Sequence, residues 1–279
     1  MIDLLSYPFM IRALIAAAVT GLAAPAIGTY LVQRRLALLG DGLGHVAVTG
    51  VAVGLLTGTS PTWVAVVVAV LGAVAIEVIR ERGHTQGDVA LALLFYGGLA
   101  AGVLITGLAG QSASRLQEFL FGSVTSVQVD DVLTTVVLAA VVLLVCLGLL
   151  PQLFAVAQDA EFARVAGVRI RVYNVLVAVL AAVTVTVAMR TVGLLLVSAL
   201  MVVPVATAQQ LTRSFRSTLL AAMALGLGAA LGGLLAATYL STIPLNVAPG
   251  PTIVLLALVG FVLAWPAGVW LRSREAPHA

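Results

Sequence analysis

The sequence predicts an all-α protein that crosses a membrane eight or nine times and forms one domain over residues 1–279. Three observations support this fold class. Hydrophobic residues make up 62% of the chain and charged residues only 9%, whereas a soluble domain carries roughly a quarter charged residues. The apolar residues fall into stretches of the length that a spanning helix needs, about 20 residues. Arginines stand singly or in pairs at the ends of those stretches.

The elements follow one another with short connections. Residues 191–210 contain Pro204, and a break of the helix there would reduce nine spans to eight. The predicted spans, in order, are 9–32, 38–57, 62–80, 88–108, 131–150, 173–189, 191–210, 217–240 and 252–271.

The arginines also predict the orientation, because basic residues concentrate in cytoplasmic loops. An outside N-terminus and a cytoplasmic C-terminus place most of them in the cytoplasm, with Arg115 and Arg190 as exceptions. The cytoplasmic set is Arg34, Arg35, Arg80, Arg82, Arg164, Arg169, Arg171, Arg213, Arg216, Arg272 and Arg274. Scattered arginines do not form the basic groove of a nucleic-acid-binding protein, so no nucleic-acid partner is expected.

Several classes of enzyme are excluded. Cys146 is the single cysteine, which rules out disulfides within the chain and cysteine-based zinc or iron–sulfur sites. All 14 basic residues are arginine, so there is no lysine for a P-loop or a Schiff base. The sequence also lacks the His-Glu-x-x-His and Gly-x-Ser-x-Gly motifs. We therefore expect a transport protein rather than an enzyme, with no permanently bound cofactor.

Asp41 and His45 are the strongest candidate site. They lie four residues apart at the start of the second apolar segment, and this spacing puts both side chains on one face of a helix. A carboxylate and an imidazole suit Zn²⁺ or Mn²⁺. Two alternatives remain open at this point: Asp41 caps the helix while His45 bonds a neighbouring helix, or the two groups relay protons.

The longest predicted cytoplasmic connection, residues 157–168, has the pattern of a short amphipathic helix. Asp159 is placed as its N-cap, Glu161 lies in the first turn and Gly167 ends it. The pattern fits either a solvated loop helix or a docking element for a cytoplasmic partner.

The segment 193–208 carries polar and helix-bending groups within an apolar run. Pro204 frees a backbone carbonyl and bends the helix, and Ser198 and Thr207 either line a polar path or bond back to their own helix. At the outer side, a soluble partner could contact the charged residues Arg115, Glu118, Asp130 and Asp131 and the loop 241–250.

The chain resembles the membrane permeases of zinc, manganese and iron ABC importers. The resemblance covers nearly the whole sequence and follows the order of the family's motifs. These are Arg34-Arg35 with Gly40, Asp41 and His45, then Leu120-Phe121-Gly122-Ser123, then Asp159-x-x-x-Ala163-x-x-x-Gly167, then Thr191-Val192-Gly193-Leu194-Leu195 with Pro204 and Thr207-Ala208, and finally Pro249-Gly250-Pro251-Thr252.

The resemblance implies a type II ABC importer permease fold in the cell inner or plasma membrane. It also implies a homodimer, cytoplasmic ABC ATPase subunits and an extracytoplasmic metal-binding protein. Asp41 and His45 would line the path of a divalent metal cargo, Zn²⁺ or Mn²⁺ with Fe²⁺ as a further candidate. Residues 157–168, including Ala163 and Arg164, would be the coupling helix on the ATPase. Asn246 stands where many relatives carry an acidic residue, which bears on the outer gate.

Two other functions compete with this interpretation. One is an importer of a metal chelate or a cobalamin-like cofactor, whose wider path would be mostly uncharged. The other is a stand-alone proton-coupled cation carrier, which would need no ATPase. A central acid–imidazole pair favours a bare ion over a chelate, and association with an ATPase subunit would separate the importer from the carrier.

Overall fold

The computed structural model describes residues 7–82, 87–110, 119–122, 127–241 and 248–273, and all regular elements in these ranges are helices. Eleven helices have defined bounds. They are α1 Pro8–Gln33, α2 Leu39–Thr57, α3 Pro61–Glu81, α4 Gly87–Leu108, α5 Val129–Gly148, α6 Leu150–Gln158, α7 Ala160–Val165, α8 Ile170–Val192, α9 Leu194–Leu211, α10 Phe215–Leu240 and α11 Pro249–Ser273.

Nine helices within the described ranges are long and apolar enough to cross a membrane, which confirms the larger of the two predicted counts. These are α1 to α5 and α8 to α11. The reduction to eight spans was wrong because α9 continues through Pro204 as one helix. Proline removes one backbone donor, but a spanning helix tolerates this loss when neighbouring groups compensate.

The span boundaries agree with the prediction to within three residues, but the prediction missed a further helix directly after the fifth span. There α5 ends at Gly148, and a separate helix, α6, begins at Leu150 with Pro151 in its first turn. Proline is well tolerated in the first turn, where its missing N–H would have no partner within the helix. The predicted span 131–150 therefore runs past the end of α5.

The core of the bundle consists mainly of α1, α2, α8 and α9, in which at least half of the most apolar stretch is buried. The helices α3, α4, α5 and α11 bury less than a third and present apolar side chains outward, as lipid-facing helices do. Tyr30 of α1 is fully buried, and its hydroxyl donates to the carbonyl of Cys146 on α5 at 2.7 Å.

Close backbone approach holds the central helices together. A Cβ added to Gly21 of α1 would lie 2.8 Å from the carbonyl oxygen of Gly226 on α10, too close for a side chain. Small residues at such crossings let spanning helices gain dispersion contacts, since lipid offers no hydrophobic drive for association. The same packing places the first turns of α2 inside the bundle, next to α4, α8 and α9.

Candidate functional site

Asp41 and His45 lie together in the first two turns of α2, on the same face as their spacing predicts. The distance from His45 Nε2 to Asp41 Oδ1 is 4.0 Å, which is too long for a hydrogen bond. The side chain of His45 is 9% exposed and that of Asp41 is 28% exposed. Metal–ligand bonds to nitrogen and oxygen measure about 2.0–2.2 Å, so one ion held by both atoms needs only a small rotation of either side chain.

The imidazole of His45 has an apolar neighbour and one unused nitrogen. Phe95 of α4 packs edge-on against it, with ring centroids 4.2 Å apart at an interplanar angle of 67°. Nδ1 is buried and has no hydrogen-bond partner among the described residues. The nitrogen nearest to Asp41 is Nε2, so an ion between the two side chains would bind Nε2 and leave Nδ1 for a second partner.

Glycines allow the neighbouring helices to approach the pair from two sides. A Cβ on Gly98 of α4 would lie 2.8 Å from the carbonyl carbon of His45, and a Cβ on Gly44 would overlap the side chain of Leu194 at the start of α9. Thr49 reinforces the first contact, because its hydroxyl donates to the carbonyl of Gly98 at 2.7 Å. The acid–imidazole pair is thereby held between packed helices.

Asp41 and His45 could offer two side-chain ligands to a metal ion. In the described part of the chain, no third His, Cys, Asp or Glu joins Asp41 and His45 to form a cluster of metal-ligand type. A transport site must release its ion as well as bind it. A two-ligand arrangement, completed by water or backbone carbonyls, suits such release better than a closed four-ligand site, which is typical of structural zinc.

The predicted helix at 157–168 is shorter than expected and starts later. Gln158 is the last residue of α6, and Asp159, whose backbone is extended, separates α6 from α7. Asp159 is the N-cap, as predicted: Oδ1 accepts from the backbone N–H groups of Glu161 and Phe162 at 2.9 and 3.0 Å. Gly167 follows α7 with a φ of +81°, which ends the helix in the left-handed region.

The short helix α7 divides into a buried side and an exposed side. Ala163 is fully buried, whereas Glu161 and Arg164 are exposed. Phe162 and Val165 are also exposed, at 68% and 89%, although both are apolar. The sequence analysis did not single out these two residues. The charges of Glu161 and Arg164 are typical of a solvated helix. Two large apolar groups at the surface of α7 instead favour contact with another protein.

Ser198, Pro204 and Thr207 all lie on α9. Ser198 Oγ is buried and has no hydrogen-bond partner among the described residues. Pro204 and Thr207 line an apolar groove against α10 and α11, and the Thr207 hydroxyl donates to its own helix at Val203. Their assignment to a path or gate stays a prediction. Asn246, Arg115, Glu118, Ser123 and Arg274 lie outside the described residues.

The sequence analysis missed a buried acidic residue, Glu77 of α3, which is 4% exposed. It contacts Arg80 of the same helix and Arg34, which follows α1. The signal was present, because Glu77 is the one carboxylate within the predicted span 62–80. A carboxylate inside a spanning helix marks a functional or paired group.

Nine apolar helices in the described ranges, with an acid–imidazole pair in the first turns of α2, define a polytopic membrane transport protein. Residues 6–267 match the ABC 3 transport family. The chain belongs to this family, as its sequence motifs indicated.

Named relatives cover almost the whole chain. The manganese import system permease protein ScaB of Streptococcus parasanguinis is 32% identical over 98% of this chain and 95% of its own length. The manganese transport system membrane protein MntC of Halalkalibacterium halodurans is 33% identical, covering 94% and 88%. The high-affinity zinc uptake system membrane protein ZnuB of Haemophilus influenzae is 26% identical, covering 92% and 97%.

Solved structures confirm the type II importer permease fold. PsaBC from Streptococcus pneumoniae, solved in complex with Fab, aligns with a TM-score of 0.86 at 30% identity and covers 98% of both chains. An inward-facing conformation of a metal-chelate type ABC transporter aligns with a TM-score of 0.67 at 19% identity, covering 94% and 85%, and shows the shared fold alone.

Proposed function

We propose that this chain is the permease subunit of an ATP-driven importer of divalent metal ions, Mn²⁺ or Zn²⁺, with Asp41 and His45 as ligands along the ion path. The single observation that carries the proposal is the pair on α2, in which His45 is buried and Asp41 half-buried, with an oxygen and a nitrogen 4.0 Å apart. The names of the relatives support the cargo, since they describe manganese import and zinc uptake.

The chemistry of the pair favours a bare ion. Both ligands come from successive turns of one helix, and the residues around them, Phe95 and Leu194, are apolar and close. A chelate or a cobalamin-like molecule would need a wide and mostly uncharged path, whereas an ionisable pair suits a bare ion. Neither ligand type separates Mn²⁺ from Zn²⁺ by itself, because affinity order alone does not set selectivity.

An uphill import needs an energy source outside this chain, which has no P-loop lysine. We infer that a cytoplasmic ABC ATPase subunit binds α7 through its exposed side, where Phe162 and Val165 stand beside Glu161 and Arg164. An extracytoplasmic metal-binding protein would deliver the ion, and a second copy of this chain would complete the importer. This arrangement places the N-terminus outside and the C-terminus in the cytoplasm.

The test is metal uptake by the reconstituted permease–ATPase complex carrying Asp41→Asn or His45→Gln. Each substitution keeps the size of the side chain and removes a ligand that binds metal well. We expect uptake of Mn²⁺ or Zn²⁺ to fall about tenfold or more, the scale seen when a metal site loses a supporting group. Asp130→Asn is the matched control, since Asp130 is an exposed carboxylate at the start of α5.

Uptake by both variants at the rate of the Asp130→Asn control would overturn the role of the pair. Stimulation of ATP hydrolysis by Mn²⁺ alone or by Zn²⁺ alone would identify the cargo. Stimulation only by a chelate of the metal would contradict the bare-ion path.

A further inference from the structure

Glu77 is a charged residue at the end of a buried stripe on α3. Ala65, Ala69 and Ala73 precede it at intervals of four residues and are all fully buried. The stripe continues into Glu77, whose side chain is only 6% exposed. A carboxylate in such a place is destabilising unless it is paired and bonded, so its partners reveal why it is there.

Two arginines contact the two carboxylate oxygens separately, Arg80 by a hydrogen bond and Arg34 by a longer ion-pair contact. Arg80 Nη1 lies 2.8 Å from Oε2, and Arg34 Nη2 lies 3.8 Å from Oε1. Arg80 is on the same helix, so its contact adds nothing between helices. Arg34 follows the last residue of α1, so its contact joins the end of α1 to α3. Burial lowers the pKa of Arg34, and the charge of Glu77 opposes that shift. We call the pair of Arg34 and Glu77 the inner latch.

The inner latch adjoins the turn that leads into the metal-binding helix. The chain leaves α1 at Arg34 and enters α2 at Leu39, so Asp41 follows Arg34 by only seven residues. The turn is tight, because the backbone N–H of Leu36 donates to the carbonyl of Leu31 at 2.8 Å. A shift of Arg34 must therefore move the first turn of α2.

The inner latch also lies at about the same level along the helices as Asp41. The helices α2 and α3 run antiparallel, and a Cβ on Gly72 would lie 2.9 Å from Val46. Along α3, Glu77 follows Gly72 by five residues, and along α2, Asp41 precedes Val46 by five residues. Because the helices are antiparallel, both steps lead toward the inner side. The carboxylate that binds Arg34 and the carboxylate proposed to bind the ion thus occupy neighbouring levels of adjacent helices.

Polar contacts connect the same helix ends to both sides of α7. Gln33, the last residue of α1, donates from Nε2 to Oε1 of Gln158, directly before the N-cap of α7. Glu81, the last residue of α3, pairs with Arg171 at the start of α8, at 2.9 Å. The ends of α1 and α3 therefore contact the segment that the ATPase would move, and the inner latch joins these two ends.

We propose that Glu77 is a positioning residue, which ties the turn entering α2 to α3 through Arg34 so that movement of α7 changes the placement of Asp41 and His45. The inference rests on the proposed function, since it assigns the residue that couples ATP hydrolysis to that ion path. Glu77 does not touch the ion. It makes the α1–α2 turn and α3 move as one body.

The two arginines separate this role from simple charge neutralisation. If Glu77 needs only a counter-charge, Arg80→Gln should do at least as much damage as Arg34→Gln, because Arg80 makes the shorter contact. If the link between helices matters, Arg34→Gln and Glu77→Gln should be the damaging variants. Arg80→Gln is then the matched control, since it removes one arginine from the same carboxylate.

The experiment measures Mn²⁺ and Zn²⁺ uptake and ATP hydrolysis in proteoliposomes that contain the permease with its ATPase subunit. We expect Arg34→Gln and Glu77→Gln to retain ATP hydrolysis while the number of ions imported per ATP falls roughly fivefold or more, the lower end of typical coupling between sites. Arg80→Gln should keep the wild-type ratio. An unchanged ratio in Arg34→Gln, or equal losses in Arg34→Gln and Arg80→Gln, would overturn the proposal.

A covalent replacement of the link covers the case in which these variants assemble poorly. The double variant Arg34→Cys/Glu77→Cys should import few ions per ATP, and a short bifunctional thiol reagent should restore the ratio by joining the two positions again. Because Glu77 is nearly as buried as Cys146, burial alone would not spare Cys146, and the test therefore uses a Cys146→Ala background. Cross-linked protein that stays uncoupled would contradict the proposal. If the wild-type complex imports neither metal, the proposed function itself fails, and the latch fails with it.

Discussion

Arg190 at the end of α8 and Asp131 at the start of α5 form an ion pair, with Arg190 Nη1 2.8 Å from Asp131 Oδ1. Arg190 Nη1 also lies 3.3 Å from the hydroxyl of Thr62, near the start of α3. One guanidinium thus joins three helix ends. Asp131 has a second role, because its Oδ2 accepts from the backbone N–H of Gln128 at 3.1 Å and caps α5.

These two roles of Asp131 predict different costs for two substitutions. Asp131→Asn keeps an acceptor for the cap and loses the charge, so we expect the free energy of unfolding to fall by about 1 kcal/mol or less, because Arg190 is partly exposed. Asp131→Ala loses both contacts, and removal of a cap costs a further ~1 kcal/mol. Thermal unfolding of the purified permease in detergent, at low and high salt, measures both.

Asp130→Asn is the control for this pair, since it changes the charge of the adjacent exposed residue. If Asp131→Asn and Asp130→Asn have equal effects at low salt, the link to Arg190 does not stabilise the bundle. If Asp131→Ala lowers the free energy of unfolding no more than Asp131→Asn does, the capping hydrogen bond does not contribute to stability.

The exposed apolar side of α7 predicts where the ATPase subunit binds. Val165 is 89% exposed, so Val165→Ser should leave the stability of the permease unchanged. If Val165 is buried by the partner, its loss should cost about 1–2 kcal/mol of binding energy, which weakens binding by roughly tenfold. Co-purification of the co-expressed ATPase subunit with tagged permease, followed by titration of the two purified components, measures the loss.

Val172→Ser makes the same chemical change at an exposed valine, 55% accessible, at the start of α8. Val165→Ser and Phe162→Ser should both reduce ATPase binding, whereas Val172→Ser should not. Equal binding by all three variants would place the ATPase contact elsewhere on the cytoplasmic side.

Much of the fold could be predicted from the sequence because a lipid bilayer restricts the length and composition of a spanning segment. A spanning helix needs a fixed length of apolar chain, so the nine spans follow from residue type alone, with no knowledge of their neighbours. The exception is the region after α5. Leu149, Leu150 and Pro151 continue the apolar run, and hydropathy does not register that α5 ends at Gly148 and α6 starts anew.

Only those features of the candidate site that arise within a single helix could be predicted from the sequence. The proximity of Asp41 and His45 follows from their spacing, and the cap at Asp159 follows from local backbone chemistry. The contact of His45 with Phe95 and the link from Glu77 to Arg34 depend instead on how separate helices align. That alignment is set by many close backbone contacts, such as Gly98 against His45, and no short motif encodes it.

The turn between α1 and α2 contains a strained residue. Arg35 has a φ of +58°, and it is the one non-glycine residue with a positive φ in the described ranges. It occupies the position after the C-cap of α1, where glycine is usual: its N–H donates to the carbonyl of Val32, and the N–H of Leu36 donates to that of Leu31. An L-residue in this conformation costs about 1 kcal/mol.

Arg35→Gly should therefore raise the free energy of unfolding relative to Arg35→Ala by up to about 1 kcal/mol, since alanine keeps the strain and glycine removes it. Both variants lose the same charge, and Arg35 is exposed, so the comparison isolates the backbone. Thermal unfolding of the two variants in the same detergent measures the difference. Equal stability, or a less stable Arg35→Gly, would mean that the flexibility glycine adds to the unfolded chain outweighs the relief of strain. Because this turn leads into the helix of Asp41 and His45, metal uptake by Arg35→Gly would also show whether the strain contributes to transport or only to the shape of the turn.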